Sequence, residues 1–248
     1  MDSKFNNNKL KILAIIPARS GSKGIPNKNI KEFKGKPLIC HSIECAKKSK
    51  YIKNIIVSTD SEKIRNIAIE AGASVPFLRP LNISQDLSTD LEFMEHCLNF
   101  IIENDIENIP DIVVQLRPTY PLRKIETLED CIEIFLNNYN EYDSLRTVYK
   151  LDKSPYKMYE KIEKNNKNYL IPLFKDVNGI KEPYNQCRQL LPDTYIHNGC
   201  IDIIKSNIIL NYKSMSGDKI YPYIMNKEDN DDIDTIEQWK IAEEKLLN

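Results

Sequence analysis

Short apolar runs alternate with segments of helical periodicity along the first half of the chain. Residues 11–18 (KILAIIPA) form a continuous apolar run that ends at small residues, as a buried parallel strand does. Runs of the same kind at residues 54–59 and 111–118 predict two further strands, and residues 73–80 predict a short one.

The segments between these strands predict amphipathic helices, because their apolar side chains recur at helical spacing. They are residues 36–49, 61–72, 89–104 and 125–138. The second of them begins with Ser61 and ends with Gly72, which are residue types that cap helices. Since strands alternate with helices, we predict an α/β fold with a mostly parallel sheet and helices on both faces.

The regular pattern is interrupted after residue 150. Residues 154–192 are rich in Tyr, Pro, Asn and Lys and lack helical periodicity, which predicts an inserted, β-rich arm. The pattern returns with a predicted strand at residues 198–205. A helix capped by Asp234 or Thr235 is expected to end the chain.

One domain spanning residues 1–248 is the organisation that the sequence favours. The chain has no internal repeat and no low-complexity linker that would mark a domain boundary. Its polar, Asn-rich start is expected to be frayed.

Composition favours a soluble, cytoplasmic protein that binds neither a membrane nor nucleic acid. Hydrophobic residues make up 41% of the 248 positions, and no apolar run is long enough to span a bilayer or to form a leader. The 35 basic and 36 acidic residues nearly cancel, so the net charge of −1 gives no broad field to attract polyanions. The six cysteines form no CxxC pair and are expected to be buried free thiols.

The loop after the first strand is the first candidate for chemistry. Arg19, Lys23 and Lys28 lie there among small residues. Small residues let main-chain N–H groups approach phosphate oxygens, while Arg donates paired hydrogen bonds and Lys supplies a compact charge. The spacing is neither that of a P-loop nor the GxGxxG of a dinucleotide fold. The loop is therefore either a different phosphate-binding loop or an exposed basic turn.

A second candidate lies near the end of the chain, where EDNDDIDT places Asp232 and Asp234 one residue apart. In an extended stretch, this spacing points both side chains to the same face. Two carboxylates on one face suit Mg²⁺, which completes its shell with water and substrate phosphates. The alternative is an ordinary helix cap in a solvated acidic run.

Four motifs occur in an order that resembles the acylneuraminate cytidylyltransferase family. They are IPARSGSKGIPNKNI, LRPTYPLR, RQLLPDTYIHNG and DIDT, and the similarity spans nearly the whole chain. The resemblance implies a Rossmann-like, GT-A-like nucleotidyltransferase fold that binds CTP and an acidic nonulosonic sugar of the sialic, legionaminic or pseudaminic type. It also implies a homodimer formed through the arm and a divalent metal, Mg²⁺ or Mn²⁺.

The resemblance also assigns roles to individual residues. The implied nucleotide-binding residues are Arg19, Ser20, Gly21, Ser22, Lys23, Lys28, Asn29, Arg79, Ser88 and, near the ribose, Asn198. Arg188 is expected to pair with the carboxylate of the sugar. Asp232 and Asp234 are the implied metal ligands, and with Arg19 and Lys23 they form the expected catalytic set.

The clearest departure from the family pattern is Arg117. Sialic acid synthetases commonly have Gln at this sugar-facing position, and a fixed cation there would change which acceptors are bound. His197, where Pro is frequent, and the segment NQCRQ also depart from the pattern. Two alternatives therefore stay open. One is a CTP-dependent enzyme for a non-sugar, phosphorylated or phosphonate acceptor, and the other is an inactive nucleotide-binding scaffold.

Overall fold

Within residues 10–245, which the computed structural model describes, a six-stranded mixed sheet forms the centre of the protein. The strands are β1 (Ile12–Pro17), β2 (Glu32–Phe33), β3 (Lys36–Pro37), β4 (Asn54–Ser58), β5 (Ile112–Gln115), β6 (Ser144–Lys150), β7 (Tyr159–Lys164), β8 (Lys167–Pro172), β9 (Asp176–Val177), β10 (Ile180–Lys181), β11 (Tyr195–Lys205) and β12 (Ile220–Ile224). The helices are α1 (Leu38–Lys48), α2 (Glu62–Glu70), α3 (Asp90–Asn104), α4 (Ile125–Asn137), α5 (Ser206–Tyr212) and α6 (Ile236–Lys245). None of these helices is long and apolar enough to cross a membrane. The Asn-rich start and the last three residues, on which the predictions of a frayed start and of a helix to the final residue fall, lie outside the described range.

The central sheet has the strand order β12-β6-β11-β5-β1-β4. β1 pairs in parallel with β4 on one side and with β5 on the other. β11 is antiparallel to β5 and β6, and β12 is parallel to β6, so β11 runs opposite to the other strands described in this sheet. The predicted mostly parallel sheet is confirmed. The direction of strand addition reverses at β1, and ligands of open α/β sheets bind at such points, beyond the carboxyl ends of the strands.

Alternate residues of β1 point to opposite faces of the sheet, and helices cover both faces. Ile12, Ala14 and Ile16 pack into one apolar cluster with α1, α2 and α4. Leu13 and Ile15 pack into another with α3 and α5. A strand that is buried on both faces has to be apolar throughout, which explains why this segment shows no polar alternation.

Helices begin where side chains satisfy free main-chain N–H groups. The Ser61 hydroxyl accepts a hydrogen bond from the first turn of α2, and Thr89 forms a reciprocal capping box at the start of α3. At α6, Thr235 Oγ1 accepts from the N–H of Gln238, whose side chain accepts from the N–H of Thr235 in return. Of the two predicted caps of this helix, Asp234 and Thr235, the structure uses Thr235.

Three features differ from the sequence prediction. Residues 73–80 form no strand in the described structure beyond a single bridge at Ser74, because Pro76 and Pro80 lack the N–H that a ladder needs. The sequence did not predict α5 or β12, since such short elements show few repeats of either period. Cys187 is exposed, whereas the other five cysteines are buried free thiols, as predicted.

The inserted arm lies between β6 and β11. Its main element is the antiparallel hairpin of β7 and β8, most of whose residues are exposed. A two-stranded hairpin cannot bury a core of its own. The arm is thus β-rich, as predicted, and keeps an apolar surface that the described chain does not cover.

A third apolar cluster joins α6 to the loop that follows β1. Its buried members are Ile25, Phe33, Leu38, Ile233, Trp239 and Ala242. Ile233 is fully buried, and its main-chain N–H donates to the Thr119 carbonyl over 2.9 Å. The extended stretch that carries Asp232 and Asp234 is therefore fixed by the residue between them.

Replacing Ile233 by Ala should lower the free energy of unfolding by about 2–5 kcal/mol, because it deletes buried volume and leaves a cavity. Urea unfolding followed by the fluorescence of Trp239, the single tryptophan, reports directly on this cluster. The control is Ile241→Ala, at a residue that is 56% exposed on α6, the helix that carries Trp239. Its free energy of unfolding should stay within about 0.5 kcal/mol of the wild-type value. Equal losses for both variants would contradict the anchoring role of Ile233.

Candidate active site

A cavity of about 480 Å³ opens at the carboxyl ends of β1 and β5, where strand addition reverses. Most of the predicted site residues line it. They are Arg19, Ser22, Lys23, Lys28, Asn29, Arg79, Ser88, Arg117 and Asp234. A larger cavity, of about 690 Å³, lies at the amino ends of β1 and β4, and none of its described lining residues was predicted to be functional. The convergence of charged groups, and not volume, therefore marks the site.

Arg19 and Lys23 bind a carboxylate at the mouth of this cavity. Arg19 Nη1 lies 3.0 Å and Lys23 Nζ lies 2.6 Å from the carboxylate of Asp86. Hydrogen bonds from Lys23 and then Arg19 hold the pKa of Asp86 below its usual value. Exposed ion pairs of this kind contribute little to stability. A substrate phosphate could therefore replace Asp86 at low cost.

Hydrogen bonds from Ser20 and Asn29 determine the shape of the loop. Ser20 donates from its main-chain N–H and its hydroxyl to the two oxygens of Asp60, over 2.7 and 2.6 Å. The Asn29 amide donates to the Arg19 carbonyl over 3.0 Å. Ser20 and the neighbouring Gly21 do not line the cavity, so in this structure they shape the loop that presents Arg19 and Lys23.

Gly24 and Lys28 join the loop to the acidic segment. A Cβ atom at Gly24 would overlap the main-chain oxygen of Asp234, so only glycine allows this approach. Lys28 Nζ donates to Asp234 Oδ1 over 2.8 Å and to the Ile233 carbonyl over 2.9 Å. Basic and acidic segments that are distant in sequence are thereby brought to one wall.

Asp232 does not line the cavity itself; it is half-buried and hydrogen-bonded to Thr119, which does. Burial raises the pKa of its carboxyl, the hydrogen bond with Thr119 opposes this, and the charge of Asp234 raises the pKa further. Two carboxylates that resist ionising together suit a divalent cation. Within the described residues no group of three His, Cys, Asp or Glu side chains could hold a metal. Mg²⁺ and Mn²⁺ need only these two carboxylates if phosphate oxygens and water complete the shell.

Arg79 brings a buried cation to the cavity. It is 5% exposed, donates to the Ser58 hydroxyl and carbonyl over 3.0 and 2.6 Å, and lies 4.7 Å from the centre of the Phe93 ring. Burial lowers its pKa, yet an arginine remains charged near neutral pH. No described carboxylate is hydrogen-bonded to it, and a buried charge is stabilised by an anionic partner. Ser88, on the same wall, accepts from the N–H of Gln85 over 2.9 Å.

Arg117 lines the cavity, but its charge is already engaged. Nη2 lies 2.6 Å from Asp90, and Nη1 lies 2.6 Å from Asp202 and 3.1 Å from the Gly199 carbonyl. Burial lowers the pKa of the guanidinium, but the two carboxylates more than reverse this and raise it. The fixed cation expected at this position is present, but Asp90 and Asp202 already pair with it in this structure.

Two further predicted site residues, Asn198 and Arg188, also do not line the cavity. Asn198 is buried in β11, where its oxygen accepts from the Thr147 hydroxyl and from the Cys200 N–H over 2.6 and 3.1 Å. Arg188 is exposed on the arm. Neither side chain reaches the cavity within this single described chain.

The sequence did not single out four polar residues of the site. They are Asp86, Asp90, Thr119 and Asp202. Asp86 and Asp90 flank the predicted Ser88, so that acidic segment offered a signal. Asp202 offered another, because an acid within an otherwise apolar predicted strand is rarely buried unless it is paired.

Comparison with known proteins places the chain in one family. Residues 13–175 match the cytidylyltransferase family model. The chain is 34% identical over 241 residues to the CMP-N,N'-diacetyllegionaminic acid synthase of Legionella pneumophila, covering 96% of this chain and 97% of that protein. It is 35% identical over 228 residues to the N-acylneuraminate cytidylyltransferase of Streptococcus agalactiae, covering 91% of this chain and 51%, about half, of that protein.

A solved structure has a similar fold. The structure of a CMP:2-keto-3-deoxy-manno-octonic acid synthetase complexed with CTP superposes with a TM-score of 0.65 at 14% identity, covering 96% of this chain and 98% of that one. At this identity the likeness concerns the fold alone, and it confirms the predicted nucleotidyltransferase architecture. The family predicted from the motifs is also confirmed, and the chain belongs to the cytidylyltransferase family.

Proposed function

We propose that the protein transfers CMP from CTP to the anomeric hydroxyl of an acidic nonulosonic sugar and releases pyrophosphate. One observation carries the proposal: in a member of the cytidylyltransferase family, one cavity combines cations for a triphosphate with Asp234, and the half-buried Asp232 interacts with Thr119 and Asp234 of its lining. Two relatives that match over more than nine-tenths of this chain are named for legionaminic and acylneuraminic acids, which supports the choice of acceptor class.

In this proposal, Arg19 and Lys23 exchange Asp86 for phosphate oxygens of CTP. Arg79 adds a charge that is fixed before the substrate arrives, because Ser58 holds its guanidinium in place. Preorganised donors of this kind stabilise developing charge without further rearrangement.

Asp232 and Asp234 would hold Mg²⁺ or Mn²⁺ together with phosphate oxygens. When bound, the ion would neutralise charge on the phosphates. Lys28 keeps the Asp234 carboxylate in place through its hydrogen bond. Thr119 does the same for Asp232.

The anomeric oxygen of the acceptor attacks the α-phosphorus in line. An O–P bond forms, the bond between the α-phosphorus and the bridging oxygen breaks, and the hydroxyl proton is released. Arg19 and Lys23 stabilise the charge that builds on the leaving pyrophosphate. Positioning and charge neutralisation supply most of the rate in such transfers.

Two earlier alternatives are less favoured. A phosphorylated acceptor is an alternative because Arg117 places a cation where the family pattern has Gln, but Asp90 and Asp202 already pair with this cation. An inactive scaffold would have no need for the Asp232 and Asp234 pair beside the cations. We also propose that the enzyme works in the cytoplasm, where CTP is available.

Pyrophosphate release from CTP and Mg²⁺ should occur with at least one acid in a panel of N-acetylneuraminic, legionaminic, pseudaminic and ketodeoxyoctonic acids. Lys23→Ala should lower turnover on the order of 10²-fold, as loss of one transition-state donor does. Lys63→Ala, an exposed lysine on α2, is the matched control and should keep wild-type turnover.

Turnover only with phosphorylated or phosphonate acceptors would replace the proposed function with the first alternative. Tight CTP binding without turnover on any acceptor would favour the scaffold.

Asp232→Asn should stabilise the metal-free protein while reducing turnover on the order of 10²-fold. The folded-state pKa of Asp232 is raised, so its charged form is less stable in the folded protein, and stability is lost as pH rises through that pKa. At pH 7 the variant should therefore have a higher Tm than the wild type. The difference should vanish near pH 3, where the wild-type carboxyl is protonated. Asp218→Asn, at an exposed aspartate, is the control, and a lower Tm for Asp232→Asn would contradict the assignment.

The arm is proposed to form a homodimer, since its apolar side chains are exposed. They are Tyr159, Tyr169, Leu170, Ile171, Leu173 and Phe174. Clustered apolar surface of this kind ordinarily marks an interface. Leu170→Lys should produce a monomer by light scattering, whereas Ile106→Lys, at a side chain that is also 67% exposed but lies away from the arm, should stay dimeric. A wild-type monomer would refute the dimer.

A further inference from the structure

Two carboxylates from different parts of the chain hold Arg117. Asp90 lies in the first turn of α3 and Asp202 lies on β11, and each accepts a hydrogen bond of 2.6 Å from the guanidinium. Gly199, at φ +71°, leaves the space for it, because a Cβ atom there would lie 2.8 Å from Arg117 Nη1. The two carboxylates and the glycine therefore accommodate the arginine side chain in one defined position.

Asp202 is the buried centre of this network. Its side chain is 2% exposed, and it accepts from Arg117 and, over 2.7 Å, from His197 Nε2. Arg146 Nε lies 3.7 Å away. Burial raises the pKa of Asp202, but the hydrogen bond from His197 and the charge of Arg117 lower it below its usual value, so the carboxylate is ionised.

With His197 counted as neutral, the formal charges in this network cancel. Arg117 and Arg146 carry two positive charges, and Asp90 and Asp202 carry two negative charges. A guanidinium has five N–H groups. Both hydrogens of Nη1 and one of Nη2 are used, while Nε–H and the second Nη2–H have no partner among the described residues. Arg117 thus offers hydrogen-bond donors to the cavity without a net charge.

We infer that Asp202 is a positioning residue that fixes Arg117 so that it recognises a neutral polar substituent of the acceptor, such as a hydroxyl or acylamino oxygen, and not the acceptor carboxylate. This role rests on the proposed function. It adds that the acceptor's neutral substituents and its charge are recognised by different residues. His197 contacts the other carboxylate oxygen of Asp202, Oδ1, whereas Arg117 contacts Oδ2.

Arg117 and Asp202 should tolerate substitution together better than either does alone. Arg117→Gln alone would leave Asp202 buried without its main cation, and an uncompensated buried charge is strongly destabilising. Asp202→Asn alone would turn an amide nitrogen or a weaker acceptor toward the guanidinium. The double variant, Arg117→Gln with Asp202→Asn, would pair two amides. The two positions therefore depend on each other.

Thermal unfolding of the four proteins in this cycle tests the coupling without any activity. Each single variant should lower Tm by about 5 °C or more, and the double variant should recover at least half of the larger loss. Arg65→Gln, which removes an exposed arginine paired with Glu62, should shift Tm by less than about 1 °C. Additive losses in the double variant would overturn the inference.

Steady-state kinetics with the best acid of the panel tests the role in recognition. Asp202→Asn should raise the KM for the acid about tenfold and leave the KM for CTP within about twofold. The double variant keeps amide donors without the charge, so its KM for the acid should rise no further than that of Asp202→Asn. A rise in the KM for the acid on the order of 10²-fold or more in the double variant would contradict the inference, because it would show that the charge of Arg117 binds the acceptor carboxylate.

The outcomes separate this inference from the proposed function. If the wild-type enzyme is active and Asp202→Asn raises both KM values together or neither, the inference fails alone. If the wild-type enzyme turns over no acid of the panel, the proposed function fails and this role in acceptor choice fails with it. The unfolding data would then still report whether Arg117 and Asp202 form one structural unit.

Discussion

The docking of Ile233 beneath the glycine loop is the contact on which the rest of the site depends. Its side chain is buried with Trp239, its N–H binds Thr119, and its carbonyl accepts from Lys28. These contacts fix one extended residue in three directions. Because adjacent side chains of an extended stretch alternate, burying Ile233 on one side presents the flanking aspartates on the other. The burial of one apolar side chain thus places the carboxylates beside the cations of the glycine loop. Lys28 and Asp234, which are hydrogen-bonded, lie 206 positions apart in the sequence.

The cations of the cavity differ in how strongly they are already bound. Arg19 and Lys23 pair with the exposed Asp86, an arrangement that a phosphate can displace. Arg79 is buried without a carboxylate bonded to it in the described structure and is ready for an anion. Arg117 is neutralised by two carboxylates and offers only hydrogen bonds. From these differences in pairing, we expect the triphosphate to bind at Arg19, Lys23 and Arg79. We expect Arg117 to recognise the acceptor.

The sequence predicted much of the fold and a large part of the site because both depend on local patterns. The strand at residues 11–18 is a continuous apolar run, and the helix that Thr89 begins has clear helical periodicity and a clear cap. Residues 73–80 misled because β-prone residues there are separated by prolines. The state of Arg117 could not be predicted, since its partners lie 27 and 85 positions away and only the packing of α3 and β11 brings them together. Asn198 matched a motif, yet its side chain serves the bulge of β11.

Calorimetric titration of CTP with Mg²⁺ into Gly24→Ala tests most directly whether the contact between loop and acidic segment assembles the site. The added methyl group must displace the Asp234 backbone, so affinity should fall by about tenfold or more while the protein stays folded. Gly21→Ala, whose methyl group would meet its nearest atom, Arg19 Nη1, at 3.9 Å, should lose clearly less. Wild-type affinity in Gly24→Ala would contradict the account, because the cations would then bind CTP without the approach of Asp234.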